Sequence, residues 1–104
     1  MNQILLLITT ESNKKLAKKI AKLLLKKKLA ACVSLRDIFS IYEWEGKIEE
    51  VKEIELLIKS KPELENDLIS FLKRMTSYDI PQILCKKFNS EKNYINWVER
   101  SLSR

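Results

Sequence analysis

Residues 29–60, LAACVSLRDIFSIYEWEGKIEEVKEIELLIKS, narrow the possible folds more than any other segment. Gly46 lies near their middle and is the single glycine of the chain. Glycine adopts positive φ without steric penalty, so Trp44-Glu45-Gly46-Lys47 suits a short turn between two strands. On the incoming side Ala31, Val33 and Leu35 alternate with smaller or polar residues. Arg36-Asp37 interrupts the pattern and predicts a bulge or kink, after which come Phe39, Ile41, Tyr42 and Trp44. On the outgoing side Ile54, Leu56 and Ile58 point one way and Glu53, Glu55 and Lys59 the other, the period-two signature of a strand. The segment therefore reads as one long β-hairpin, with strands beyond the common length of about five or six residues. Strands that outrun their own sheet leave backbone groups unpaired, which invites pairing with another chain. Assembly with neighbouring copies is the first expectation.

The remaining elements are read from periodicity and end signals. Residues 3–9 are short and apolar and read as a buried first strand. Thr10 or Ser12 can cap a helix running to about Lys28. Its apolar face holds Leu16, Ile20, Leu23 and Leu24, and its opposite face Lys14, Lys15, Lys18, Lys19, Lys22 and Lys26. Pro62 opens a second helix, with Ser60 and Glu63 spaced as a capping box and Leu64, Leu68, Phe71, Leu72 and Met75 as its core stripe. Tyr78-Asp79-Ile80-Pro81 forms a turn, because proline disfavours helix in the residue before it. Residues 82–88 give a fourth strand. Ser90 can cap a last helix through Ser101, with Tyr94, Val98 and Leu102 as its seam and Ile95 and Trp97 alongside. The order predicts an α+β, ferredoxin-like βαββαβ sandwich with an extra C-terminal helix, a single domain over residues 1–104.

Composition excludes several classes. With 45% hydrophobic residues, one glycine and two prolines, the chain is dense in ordered elements and not a disordered segment. No apolar run approaches the roughly 20 residues needed to span a bilayer, and no membrane partner is expected. The start, MNQILLLITT, lacks a basic leader and a small-residue cleavage site, so it reads as a strand and not a signal peptide. Cys32 and Cys85 both fall in strand-like runs, which argues against a disulfide framework and for a reducing cytoplasm. The net charge of +6 reads either as a lysine-rich solvated surface or as a nucleic-acid partner, and the distribution along the first helix favours the former. With no histidine and no glycine-rich loop, neither nucleophilic catalysis nor a phosphate cradle is expected, and the chain reads as no enzyme.

The hairpin and the segments after it resemble the CutA family, the divalent-cation-tolerance proteins. The matching residues are Ala30-Ala31-Cys32-Val33, Ser40-Ile41-Tyr42, Trp44-Glu45-Gly46-Lys47-Ile48, Glu55 with Leu57-Ile58-Lys59, Tyr78 with Pro81, and Tyr94 with Trp97. The resemblance runs over essentially the whole chain. It implies a ferredoxin-like subunit in a tight homotrimer whose long hairpins pair between subunits. It also implies a role in divalent metal tolerance or response, with copper-type cations as ligands in some members and no known enzymatic activity. The architecture is similar to that of PII signalling proteins, which bind small molecules in clefts between subunits. The chain departs from the family at its metal-ligand positions: Thr9 stands where a cysteine is common, Met75-Thr76-Ser77 where histidines precede the tyrosine, and Gln82 where a glutamate comes after the proline. Imidazole is a leading copper and zinc ligand, so any copper or other divalent cation is expected to bind weakly.

Individual candidates carry paired readings. Cys32 is the candidate metal ligand, a soft donor for Cu(I), with Met75 as a companion; the alternative is a small buried strand residue, and Cys85 reads likewise. Glu55 and Lys59 share one strand face and are either joint ligands of a polar molecule in an inter-subunit cleft or a surface ion pair. Tyr42 and Trp44 share a face beside the turn, to stack on a ligand or to pack on a neighbour. Tyr78, Asp79 and Gln82 surround Pro81 and line a cleft mouth or simply make a turn. Glu49, Glu50, Glu53 and Glu55 form an acidic patch open to hard cations or to neighbouring lysines. The leading function is a non-enzymatic trimeric binding protein. The alternatives are a PII-like small-molecule sensor and an RNA-binding domain of the RRM kind, and the latter lacks the strand aromatics such domains need in ILLLIT and IELLI.

Overall fold

A computed structural model describes residues 2–103. Along the chain come β1 (Gln3–Glu11), α1 (Lys14–Lys26), β2 (Cys32–Trp44), β3 (Lys47–Ser60), a 3-10 turn at Pro62–Leu64, α2 (Glu65–Met75), β4 (Leu84–Asn89) and α3 (Lys92–Leu102). The strands form one sheet in the order β2-β3-β1-β4, with every neighbouring pair antiparallel.

The hairpin is the longest feature. Its register runs without interruption from Cys32 opposite Lys59 to Trp44 opposite Lys47. The expected bulge at Arg36-Asp37 is absent: Arg36 sits opposite Glu55 and Asp37 opposite Ile54. A charged pair across the strands satisfies the break in apolar alternation without an extra residue. At the tip Glu45 and Gly46 both have positive φ, 52° and 79°, as the favoured two-residue hairpin turn requires. β1 pairs with β3 only as far as Glu11 opposite Ile54. Residues 38–44 and 47–53 therefore extend past the four-stranded sheet as a two-stranded arm, within a molecule 45 Å long and 25 × 22 Å across.

Side-chain alternation divides the sheet into a covered and an open face. Leu5, Leu7, Leu56 and Ile58 point to the covered face and meet Ala17, Ile20 and Leu24 of α1 and Leu68, Phe71 and Leu72 of α2 in one buried core. A smaller cluster joins Ile4 and Ala31 to Ile95, Val98 and Leu102 of α3. The seam of α3 thus centres on Ile95, while Tyr94 and Trp97 stay exposed and stack on each other with centroids 5.7 Å apart.

Several end signals differ from expectation. Asn13, not Thr10 or Ser12, caps α1, its Oδ1 accepting from the Leu16 N–H at 2.9 Å. β1 runs on to Glu11 and consumes the two earlier candidates' neighbourhood. α1 closes with Lys28 at φ 60° and the Leu29 N–H donating to the Leu24 carbonyl at 2.9 Å, a Schellman close without glycine. Ser60 is no helix cap: it is fully buried at the end of β3 and donates to the Leu29 carbonyl at 2.7 Å. At α3 the cap is Glu91, which accepts from the Tyr94 N–H at 3.1 Å, in place of Ser90.

Candidate functional site

The arm and the loop after α2 enclose a cleft of about 650 Å³. Ser40, Tyr42, Trp44, Glu49 and Glu53 line it from the arm, and Ser77, Tyr78, Asp79, Ile80 and Gln82 from the loop. Tyr42 lies opposite Glu49 in the hairpin register, so these two share a face with Trp44 and Glu53 by alternation.

Two buried carboxylates hold the loop in place. Glu11, 2% exposed, accepts from the Ser77 Oγ at 2.7 Å. Glu53, 9% exposed, accepts from the Tyr78 Oη at 2.6 Å through Oε2. The Tyr78 N–H donates to Thr76 Oγ1 at 3.1 Å, which tightens the same turn. Burial first, then the hydrogen bond to Glu53 and the nearby negative charges, push the Tyr78 phenol above its ordinary value. The phenol therefore stays protonated and keeps donating. Above pH 10.0, the ordinary value, an unfolded chain releases this proton and the folded chain retains it. The folded state then binds more protons, so stability is full below that pH and is lost as pH rises. Wild type is expected to lose thermal stability more steeply than Tyr78→Phe between about pH 10 and 12. Equal slopes would show that the phenol ionises as freely in the fold as outside it.

Of the sequence candidates, Tyr42, Tyr78 and Gln82 meet in this cleft. Glu55 and Lys59 do not line it. Glu55 Oε1 accepts from Arg36 Nη2 at 2.6 Å across the hairpin. Lys59 Nζ donates to Ser34 Oγ at 3.0 Å and lies 4.0 Å from Cys32 Sγ. Both sit on the open face of the sheet, each engaged with β2. Cys32 is half-buried beside that ammonium, while Met75 packs into the core on the covered face, so the sheet separates these two soft donors. Cys85, expected to be a packed strand residue, is exposed. Thr9 is buried under the helices. Among the described residues no three His, Cys, Asp or Glu side chains converge as metal ligands. The acidic patch is split by alternation, with Glu50 on the face opposite Glu49, Glu53 and Glu55. The donor set does not fit a resident copper or zinc ion within one chain.

Sequence reasoning missed Glu11, and it named Ser77 only as a residue standing where histidines precede the tyrosine, not as the partner of Glu11. The signal existed: Glu11 continues the inward alternation of Leu5, Leu7 and Thr9, so an acid there must find a buried partner.

Residues 5–101 match the sequence profile of the CutA1 divalent ion tolerance protein family. The chain is 34% identical over 96 residues to the divalent-cation tolerance protein CutA of Pyrococcus horikoshii, spanning 91% of this chain and 94% of that protein. Its fold superposes on CutA1 of Ehrlichia chaffeensis with a TM-score of 0.95 at 29% identity, over 100% of this chain and 99% of that one. It superposes on CutA of Archaeoglobus fulgidus, described as periplasmic, with a TM-score of 0.92 at 33% identity, over 96% and 99% of the two chains.

Proposed function

This chain belongs to the CutA1 divalent ion tolerance family, and on that premise we propose that it acts as a non-enzymatic homotrimeric binding protein in the response to divalent cations. Each subunit is read as a single ferredoxin-like domain over residues 1–104. The observation that carries the assembly is the arm. Phe39, Ile41 and Ile48 are 58%, 64% and 68% exposed, and Tyr42 and Trp44 are also open to solvent. A two-stranded ribbon is marginally stable alone in water, and an apolar one gains by burial against other copies. The open sheet face adds Leu84 and Phe88, both exposed, to the surface available for that contact. In such a trimer Glu55, Lys59 and Cys32, on the open face, would come within reach of an adjoining subunit and join Tyr42, Tyr78 and Gln82 as cleft residues.

Ligand binding is assigned to the cleft between arm and loop. The absence of convergent soft donors around Cys32 among the described residues favours weak, oxygen-based contacts with copper or other divalent ions. A small-molecule sensor of the PII kind uses the same clefts and differs only in its ligand. Two free thiols, Cys32 and Cys85, favour a reducing cytoplasm, in contrast to the periplasmic description of the Archaeoglobus relative. Among the described residues no helix is long and apolar enough to cross a membrane.

Light scattering on the eluting protein is expected to give three times the 12.3 kDa of one chain, and a monomer at micromolar concentration overturns the assembly. Titration calorimetry with Cu(I), Cu(II) and Zn(II) is expected to show weak binding. Sub-micromolar affinity that survives Cys32→Ser would show that a competent metal site exists elsewhere.

A further inference from the structure

The positive charge of the chain is confined to one stretch. Residues 12–36 hold nine Lys and Arg and no Asp or Glu, whereas the remaining residues hold eleven against fourteen. A lysine-rich background would scatter both signs along the chain, so this segregation belongs to the segment. Lys14, Lys18, Lys22 and Lys26 follow one another at i,i+4 on α1, each repelling the next at about 5–6 Å. A solvated helix face gains from acids as i,i+4 partners, and α1 has none, not even in its first turn, where the helix dipole favours them. Lys14 reaches Asp37 at 3.8 Å, but Lys15, Lys18, Lys19, Lys22, Lys26 and Lys28 form no salt bridge among the described residues. Periodicity alone reads this face as solvated; the missing acids and the placement of the lysines change the reading. We propose that the lysine face of α1 docks double-stranded nucleic acid through its phosphate backbone, without reading base sequence.

β1 ends at the base of the arm and β2 begins at the opposite end of the sheet, so α1 carries its lysines away from the arm. At the far end Lys26, Lys27 and Lys28 meet Ser70 and Arg74 of α2 around a groove of about 560 Å³, with Asp67 as its one acid. The α1 carbonyls there are already satisfied: Leu23, Leu24 and Leu25 accept from the N–H groups of Lys27, Leu29 and Lys28 at 2.9, 2.9 and 3.1 Å. The lysine side chains are therefore not needed as helix caps. The Arg74 guanidinium lies over the Phe71 ring, 5.9 Å from its centroid, and offers a planar fork suited to phosphate oxygens. Ridge and groove belong to the helix layer and include neither the arm nor the open sheet face, so the inference uses neither the cleft nor the trimer proposed above.

The occupant follows from what this face lacks. Leu25 is the one exposed large apolar residue of α1, and no exposed aromatic residue lies on the ridge or in the groove. Stable anchoring to a bilayer takes apolar insertion in addition to charge. Single strands need rings on which their unstacked bases can lie. A duplex keeps its bases stacked and presents rows of phosphates, which lysine and arginine charges alone can hold.

The test is fluorescence anisotropy of the intact protein with a labelled short DNA duplex of mixed sequence. Affinity is expected to fall about a thousandfold between about 50 and 200 mM KCl, as about six phosphate contacts require. Lys18→Gln, Lys22→Gln and Lys26→Gln combined, at exposed helical positions that glutamine suits, are expected to reduce the slope of log affinity against log salt by about three. The charge-matched set Lys61→Gln, Lys87→Gln and Lys92→Gln, away from α1, is expected to leave that slope unchanged, with circular dichroism showing both variants folded. No binding at the lower salt, or the same loss of slope in both sets, overturns the inference. So does tighter binding to the single strand, or equal affinity for phosphatidylserine vesicles or polyglutamate.

Discussion

Replacing Ile41 and Ile48 together by Glu is expected to yield a folded monomer, with the solution mass falling to the 12.3 kDa of one chain. Ile41 pairs with Glu50 and Ile48 with Glu43, so both isoleucines point to one face of the arm. They are 64% and 68% exposed and touch little within their own chain. Their loss should therefore leave the subunit's own core intact. In an assembly each isoleucine would bury a side chain worth about 1.5–3 kcal/mol. A glutamate in its place adds the cost of an unpaired carboxylate in an apolar contact, several kcal/mol in such settings. Both effects repeat in every copy. Unchanged far-ultraviolet circular dichroism together with the reduced mass would confirm that the arm is an assembly element. An unchanged mass would show that this face of the arm lies outside the contact.

Leu56→Ala is expected to lower subunit stability by about 2–5 kcal/mol. Leu56 is fully buried on β3, between Thr9 of β1 and Leu35 of β2, under the helices. The position lies within the sheet, not at its rim, so the surroundings have little freedom to collapse into the gap. The measurement belongs in the monomeric arm variant, because assembly couples apparent stability to protein concentration. Urea unfolding should then show a lower midpoint with an unchanged slope. A loss below about 1 kcal/mol would mean that the neighbouring side chains refill the space.

The fold was legible wherever periodicity met burial. The hairpin was readable from one glycine and the alternation of Ile54, Leu56 and Ile58, and α1 from Leu16, Ile20 and Leu24 against a lysine face. The ends of elements were less so. Asn13, Ser12 and Thr10 are all competent caps, and the choice among them depends on how far β1 remains paired with β3, which is a tertiary matter. Ser60 fitted a capping box by spacing alone, yet β3 continues through it and its hydroxyl bonds backwards to Leu29. The interruption at Arg36-Asp37 looked like a defect in one strand. It is explained only by the facing strand, where Glu55 supplies the opposite charge.

The site was half legible. Aromatics and the Tyr78–Pro81 turn pointed to the cleft, because unusual residues near a turn are visible in one dimension. The anchoring roles of Glu11 and Glu53 were not, since a carboxylate that holds a distant loop looks like any other acid in the sequence; Glu11 and Ser77 lie 66 residues apart. Glu55 and Lys59 share a face as their spacing requires, but spacing cannot say that Arg36 and Ser34 stand across from them.

The place of β1 in the sheet bears on how the chain is made. Its apolar strand leaves the ribosome before the other three, yet Leu5 must wait for Ser60 and Gln3 for Asn89 before either edge is closed. Local pairing across Glu45-Gly46 can form early, whereas the centre of the sheet is assembled from the most distant parts of the sequence. Nascent chains stalled before β4 should thus carry one sticky, unzipped border and depend on chaperones until that last strand emerges.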